Sequence, residues 1–266
     1  MHLIYDIPIL FLGLLVVGLC VAFGLAGVWL VRHNSWMLVE RDNGTATLAH
    51  AFIGVLYAVA LGLMVVGVQG TYSDVEMTVM KEANLSGDLY FDLTGLDEPA
   101  RTAFQALAKR YIETVILDEW PAVASGGDAD IAENIIEDLA RRIITYRPNG
   151  DYESIVFAEV LDGINELIDQ RRERLHFGTS GVGGITWSIV IIGAVITLSV
   201  ACFYNTPGER AHYMLVATMS AMFGLMIFLI ISMDHPLWGQ FSVQPDAFSE
   251  VLEKIETWDR LSGPEA

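Results

Sequence analysis

The sequence predicts an all-α membrane protein, in which four transmembrane helices in two hairpins flank a helical extramembrane bundle. Two observations on composition lead to this fold class. Apolar residues make up 53% of the 266-residue chain, yet its formal net charge is -18. A uniform soluble domain does not readily combine this apolarity with this charge, so the two properties must lie in separate segments of the chain.

The apolar residues are concentrated in four uncharged stretches. Residues 9–31, 48–73, 175–206 and 211–233 contain no Asp, Glu, Lys or Arg. Each stretch exceeds the roughly 20 helical residues that cross a hydrocarbon core about 30 Å thick. A helix also satisfies the backbone hydrogen bonds within lipid. We therefore predict spans over about residues 9–31, 50–71, 185–205 and 211–233.

The first span has a cleaved signal peptide as its alternative. A signal peptide begins with basic residues and has a shorter apolar run. The segment before this span instead contains Asp6 and no Lys or Arg, so we expect the span to be retained. The two cysteines, Cys20 and Cys202, lie inside predicted spans, and we expect them to be small packing residues. We expect no disulfide, no metal site and no cofactor.

The predicted domains follow the spans. Residues 1–72 and 184–234 form the two transmembrane hairpins, the second closed by a turn at Pro207-Gly208. Residues 72–183 hold 22 acidic and 10 basic side chains, and we assign residues 73–183 to an acidic helical domain. Residues 235–266 form a tail, in which residues 242–258 are typical of a short amphipathic helix that could pack on the bundle.

Helical periodicity runs through the acidic domain. The second span is predicted to continue into it as one long helix, and a helix over residues 152–175 is predicted to run directly into the third span. A helix over residues 98–118 should end at Glu119-Trp120-Pro121, because proline cannot continue the hydrogen-bond ladder. Another helix is predicted over residues 131–146. We expect Asp118 and Glu119 to form a solvated helix end.

One face of the second span carries small residues at intervals of four, followed by two polar side chains. The residues of this face are Gly54, Ala58, Gly62, Val66, Gln69 and Tyr72. Small-residue stripes let helices approach closely, so packing against the first span is one interpretation. The other is that this helix lines a pore or an oligomer axis, where Gln69 and Tyr72 would form rings of hydrogen-bonding groups at the mouth.

Charged residues near the span ends bear on orientation and selectivity. Arg171, Arg172 and Arg174 precede the third span, and Asp234 closes the fourth. Asp234 is expected at the membrane interface or paired with a juxtamembrane arginine. The cluster of bases favours a cytoplasmic location for the helical domain and both termini. We expect the inner (plasma) membrane of a bacterium.

The sequence contains no signature of an enzyme or of nucleic-acid binding. The span interiors contain no Asp, Glu, Lys or Arg, whereas proton relays and coupled transport rely on ionisable groups within the membrane. This argues against a proton-driven motor, pump or ion-coupled transporter. The function classes that remain are ion channels and membrane scaffolds or sensors. The expected partners are the lipid bilayer, further copies of the chain and a permeant ion.

Motifs spread over about residues 45–250 resemble the bestrophin-like family of membrane proteins. The motifs are Tyr57-Ala58-Val59, Leu61-Gly62, Gln69, Tyr72, Glu82-Ala83-Asn84, Leu89-Tyr90, Arg110-Tyr111, Glu119-Trp120-Pro121, the run from Arg171 to Leu175, and Asp234-His235-Pro236 with Gly239, Pro245 and Phe248. Their order and spacing carry the resemblance.

The resemblance implies kinship with bestrophins, which are pentameric ion channels that conduct anions in animals. Their second span lines the pore, with a neck of aromatic and aliphatic residues where this span has glycine and alanine. The implied function is an oligomeric channel, and the acidic domain predicts one that is cation-leaning or poorly selective. The alternative is a membrane-anchored scaffold or sensor that binds a partner through the helical domain and does not conduct.

Overall fold

A helix occupies each of the four predicted spans. The computed structural model describes residues 5, 7–34, 44–203 and 208–262. The spans lie in α1 (Ile9–His33), α2 (Gly44–Asp92), α7 (Gly184–Cys202) and α8 (Glu209–Met233), and all four are long and apolar enough to cross a membrane. Over these described ranges the chain has no β-strand, so the all-α membrane class is confirmed. Pro207 of the predicted turn lies outside them.

The remaining helices are shorter and more polar. They are α3 (Ala100–Thr114), α4 (Trp120–Ala124), α5 (Glu133–Thr145), α6 (Gly150–Thr179) and α9 (Asp246–Ser262). The chain divides into two compact units. Among the described residues, the membrane unit comprises residues 5–71 and 181–235, and the helical unit comprises residues 72–180 and 236–262.

Close packing in the membrane unit is between α1 and α8, the first and last spans. A Cβ atom on Gly24 would lie 2.2 Å from the Ser220 hydroxyl, and one on Gly224 would lie 2.8 Å from the backbone of Val17. Small residues at these positions let the two backbones approach, as in other membrane helix pairs. The neighbours of α1 are therefore α8 and, over a shorter length, α7, rather than α2.

The core of the helical unit is built from apolar side chains of α2, α3, α5, α6 and α9. Ile112, Leu139 and Ile164 are among its fully buried residues, and Phe248 brings α9 into the same core. The apolar face of α9 explains this position, because burial of Phe248, Val251 and Ile255 removes that face from water. The amphipathic helix predicted in the tail forms and packs on this unit.

The prediction that the helical segment ends at Glu119-Trp120-Pro121 is wrong. After Thr114 the chain makes one π-helical turn, Val115–Glu119, and then continues as α4 to Ala124. Pro121 stands in the first turn of α4, where a missing backbone N–H costs least. The wider π turn supplies the local adjustment, and such turns cannot be read from apolar periodicity.

The prediction that one helix runs from the bundle into the third span is also wrong. α6 ends at Thr179, and residues 180–183 are not helical. Glycine disfavours the helix at 181, 183 and 184. Within the membrane unit, a Cβ on Gly181 would lie 2.3 Å from the His235 ring, and the Val182 backbone N–H donates to the Asp234 carboxylate at 2.6 Å instead of to a helix carbonyl. α2, by contrast, is a single helix from Gly44 to Asp92, as predicted.

Candidate functional site

The membrane part of α2 has one buried face and one open face. Tyr57, Leu61 and Val68 are buried in an apolar cluster that includes residues of α7 and α8. The Tyr57 hydroxyl donates to the Val190 carbonyl at 2.7 Å, and its ring meets the Phe223 ring edge-on at 5.3 Å between centroids. These contacts fix which side of α2 is turned toward the rest of the membrane unit.

The small-residue stripe lies on the open face of α2. Ala58, Gly62 and Gln69 are exposed, and Val66 is 68% exposed. A Cβ atom placed on Gly54, Gly62 or Gly70 would meet no other described residue within 4 Å. The stripe therefore does not pack against the first span, which was one of the two interpretations. Other membrane glycines do have a neighbour against them, such as Gly24 of α1, Gly224 of α8 and Gly193 of α7.

Tyr72 packs within the helical unit. It is half-buried against the core of the helical unit, and its ring lies 5.9 Å from that of Phe241. Its position on α2 is therefore determined by packing within the helical unit. Of the six residues predicted on this face, the five from Gly54 to Gln69 belong to the membrane unit, and Tyr72 belongs to the helical unit.

Two of the three predicted juxtamembrane arginines form a buried ion-pair network within the helical unit. Arg171 and Arg174 lie on α6 and are 1% and 0% exposed. Their partners are Glu82 of α2 and Glu119 of the π turn, which are both fully buried. Arg171 and Arg174 are therefore not free surface charges, and the expectation of a solvated Glu119 is wrong. Asp118, beside it, is exposed.

The network is held by charge-assisted hydrogen bonds. Arg171 donates from both Nη atoms to the two oxygens of Glu119, at 2.9 and 2.7 Å, and from Nε to Glu133 at 3.0 Å. Arg174 donates through Nη2 to Glu119 at 2.8 Å and to Glu82 at 3.1 Å. Paired geometry of this kind makes guanidinium–carboxylate contacts the strong members of their class.

Neutral groups complete the network. The Tyr111 hydroxyl donates to Glu82 at 2.6 Å, and the Ala132 backbone N–H, just before α5, donates to Glu119 at 2.9 Å. The guanidinium of Arg174 lies 5.0 Å from the ring centroid of Trp120, within cation–π range. Nη1 of Arg174 is buried and has no hydrogen-bond partner among the residues that the structure describes.

The pKa values follow from these contacts. Burial alone would raise the pKa of Glu119, but the hydrogen bonds and charges of Arg171 and Arg174 outweigh it, and the pKa lies below the ordinary glutamate value. Burial would lower the pKa of both arginines, and their carboxylate partners raise it instead. Burial and the Glu82 charge raise the pKa of Tyr111 well above its usual value. Glu119, Arg171 and Arg174 are therefore charged at neutral pH, and Tyr111 is protonated.

The network reaches the surface at one point. Glu133 is 40% exposed and lies with Arg171 along a groove of about 420 Å³ between α5 and α6. Arg172 is the predicted juxtamembrane base that stays at the surface, where it pairs with Asp169 at 3.3 Å, both side chains being exposed. A pair of this kind contributes little to stability.

Asp234 is buried at the end of α8. The sequence predicts that it lies at the membrane interface or pairs with a juxtamembrane arginine. Its carboxylate accepts the Val182 backbone N–H at 2.6 Å and the Trp187 indole N–H at 3.1 Å, both near the start of α7. His235 Nδ1 lies 3.5 Å away. These groups, rather than an arginine, are its partners within the described membrane unit, so Asp234 joins the end of α8 to the beginning of α7.

A family model described as the bestrophin-like domain matches residues 18–248, which is most of the chain. The chain belongs to the bestrophin-like family. It is an integral membrane protein of that family, with four apolar helices. No curated protein and no solved structure matches the chain.

The segments that carry the bestrophin-like resemblance converge on the buried network. Glu82, Tyr111, Glu119, Arg171 and Arg174 all belong to the motifs by which the sequence resembles the family. Reasoning on single helices missed this site, since each motif looked like a charged helix surface on its own. The signal that could have found it is the presence of two arginines three residues apart on a helix that must also bury Ile164 and Leu167.

Proposed function

We propose that this bestrophin-like protein assembles as an oligomer in which α2 helices surround an ion-conducting pore that is cation-leaning or poorly selective. The observation that carries the proposal is the open face of α2. It is a membrane-spanning surface with three glycines that no described residue covers, in a chain of a family whose name implies kinship with channels. In an oligomer, that face is available to line an axis.

The distribution of charge supports the cation preference. Residues 72–183 hold 22 acidic and 10 basic side chains. The buried network removes Glu82, Glu119, Arg171 and Arg174 together, so the excess of acids at the surface is unchanged while two arginines are lost from it. Such a field concentrates cations near the protein, and salt screens it beyond about 8 Å at physiological ionic strength. We further propose that the protein lies in a bacterial inner membrane with this domain in the cytoplasm.

A leucine at Gly62 tests the pore. Its side chain would project from the open face without meeting a neighbour in its own chain, so the fold is retained and the lumen is narrowed. We expect purified Gly62→Leu protein to assemble like the wild type and to conduct at least severalfold less in planar bilayers. Gly18→Leu is the matched control, because Gly18 is also open but lies on α1, and it should conduct like the wild type.

Two outcomes would contradict the proposal. Loss of the oligomer in Gly62→Leu would make the stripe a packing surface between subunits instead of a pore lining. A wild-type oligomer that is intact but silent at every voltage and salt gradient would favour the alternative, a membrane-anchored scaffold or sensor.

A further inference from the structure

The open face of α2 continues beyond the membrane span as part of the same helix. An α-helix advances 100° and 1.5 Å per residue, so a residue seven positions further along lies nearly above the first, about 20° away. Gly62, Gln69 and Glu76 are spaced by seven. All three are exposed, and α2 is unbroken over them. Glu76 is therefore the first carboxylate on the line that Gly62 and Gln69 define, about 10 Å beyond Gln69 along the axis.

The other carboxylate at this level of α2 is on a different side. Asp74 lies about 140° around the helix from Gln69 and about 160° from Glu76. Between the two carboxylates on α2 is the face that the helical unit buries, with Val75 at 0% and Val79 at 2% exposure. Asp74 and Glu76 are both exposed, so the chain offers two surface acids two residues apart, of which one shares the face of Gln69.

The bases near Glu76 in the sequence lie on another side of α2, and those before the third span are paired with carboxylates. The nearest base along α2 is Lys81, about 140° around the helix from Glu76. Of the three arginines before the third span, Arg171 and Arg174 are paired in the buried network, and the exposed Arg172 is paired with Asp169. Each arginine of that cluster therefore already has a carboxylate partner.

We propose that Glu76 is the residue that sets cation preference in the pore, as a ring of carboxylates repeated by each subunit at the end of the span. The inference rests on the proposed function, since it needs α2 to line the axis. Rings of acidic side chains are the means by which cation channels concentrate their ion. The ring does not require a specific bound-ion site, because the field of several carboxylates at one level attracts monovalent cations collectively.

Charge reversal at two neighbouring positions tests the inference. Full-length wild type, Glu76→Lys and Asp74→Lys are reconstituted in planar bilayers, and the reversal potential is measured under a KCl gradient. We expect Glu76→Lys to lower the K⁺/Cl⁻ permeability ratio by about tenfold or more, and Glu76→Gln to lower it less. Asp74→Lys makes the same change of net charge at the surface and should alter the ratio by less than about twofold.

Folding does not confound the comparison, because both residues are exposed and assembly is checked for each variant by native electrophoresis. Equal shifts in Glu76→Lys and Asp74→Lys would overturn the inference and leave the pore proposal standing, since they would assign selectivity to overall charge. An unchanged ratio in Glu76→Lys would overturn it in the same way. An assembled wild type without any current would instead overturn the proposed function, and this inference with it.

Discussion

Arg171 and Arg174 are arginines that the protein buries completely, each against carboxylates that are buried as well. Removing such charges from water costs several kcal/mol per ion, and the mutual attraction offsets that cost only where the geometry is good and the remaining hydrogen bonds are made. Here almost every donor and acceptor is used, and the residues come from α2, α3, the π turn and α6. The network therefore fixes how these helices fit together, and it is intolerant of the loss of any one charge.

The two glutamates on Arg171 should differ sharply when neutralised. Glu119→Gln leaves two arginines buried with one carboxylate fewer and should lower the free energy of unfolding of the helical unit by about 3–5 kcal/mol. Glu133→Gln removes a partner that is 40% exposed and should cost no more than about 1 kcal/mol. Urea unfolding of the purified full-length protein, followed by tryptophan fluorescence, measures both.

The pH dependence provides the internal check on this comparison. The arginines hold the pKa of Glu119 below its ordinary value of 4.5. A carboxylate with a lowered pKa contributes stability that is fully present above the unfolded-state pKa and is lost as pH falls through the folded-state pKa. The difference between wild type and Glu119→Gln should thus stay constant from pH 7 to about 4.5 and shrink only below that. Equal losses in the two variants, or a difference that disappears near pH 6, would refute the assignment.

At the scale of helices, the membrane glycines have two different environments. Gly24 of α1 has the Ser220 side chain against it, whereas Gly54, Gly62 and Gly70 of α2 have no described residue within 4 Å of a Cβ atom placed on them. Apolar composition does not distinguish these environments, since both helices are glycine-containing spans with no charges. What distinguishes them is the neighbouring helix, and that is a property of the tertiary structure.

Leucine at Gly24 should therefore destabilise the membrane unit, because its Cβ would already lie 2.2 Å from the Ser220 hydroxyl. We expect a loss of at least about 2–3 kcal/mol from overpacking, seen as a lower midpoint of thermal unfolding in detergent. Gly18→Leu, an open position on the same helix, is the control and should unfold like the wild type. An unchanged midpoint in Gly24→Leu would show that α1 and α8 are not packed through this contact.

The existence of the helices was predictable from the sequence, and their junctions were less so. Charge-free length predicted the four spans, and the apolar spacing of Phe248, Val251 and Ile255 predicted α9, because both signals are local. The π turn before Trp120 and the break before Gly184 were missed. Each depends on a partner distant in the sequence: Arg171 and Arg174 hold Glu119 within the turn, and Asp234 captures the Val182 N–H after α6.

The candidate site was predictable only where its signal is local in the sequence. The stripe from Gly54 to Gln69 could be read from spacing on one helix, and the structure leaves it on the open side of α2. The partners of Tyr72, Arg171, Arg174 and Asp234 could not be predicted, because near a span end the sequence does not show whether a polar residue is solvated or buried. Only the positions of their partners, such as Phe241 and Glu119, determine which applies.

At the scale of the whole molecule, the account makes α2 the functional element. It is one helix of 49 residues, which contains the uncovered glycines, Glu76 and the buried Glu82. The helical unit fixes one end of it through Glu82 and Arg174. Within the membrane unit, no described residue covers Gly54, Gly62 or Gly70 of α2, so the function of the chain depends on what that face meets in the assembled protein.

The most direct measurement is chemical access to that face in the conducting protein. A single cysteine is introduced at Gly62, or at Gly18 as the control, after Cys20 and Cys202 are replaced by alanine, and bilayer current is recorded while a water-soluble cationic thiol reagent is added. The account predicts a rapid fall of current in Gly62→Cys that persists after the reagent is washed out and is reversed by a reducing agent, with no change in Gly18→Cys. Current that persists in Gly62→Cys, or falls equally in both variants, would contradict a pore lined by α2.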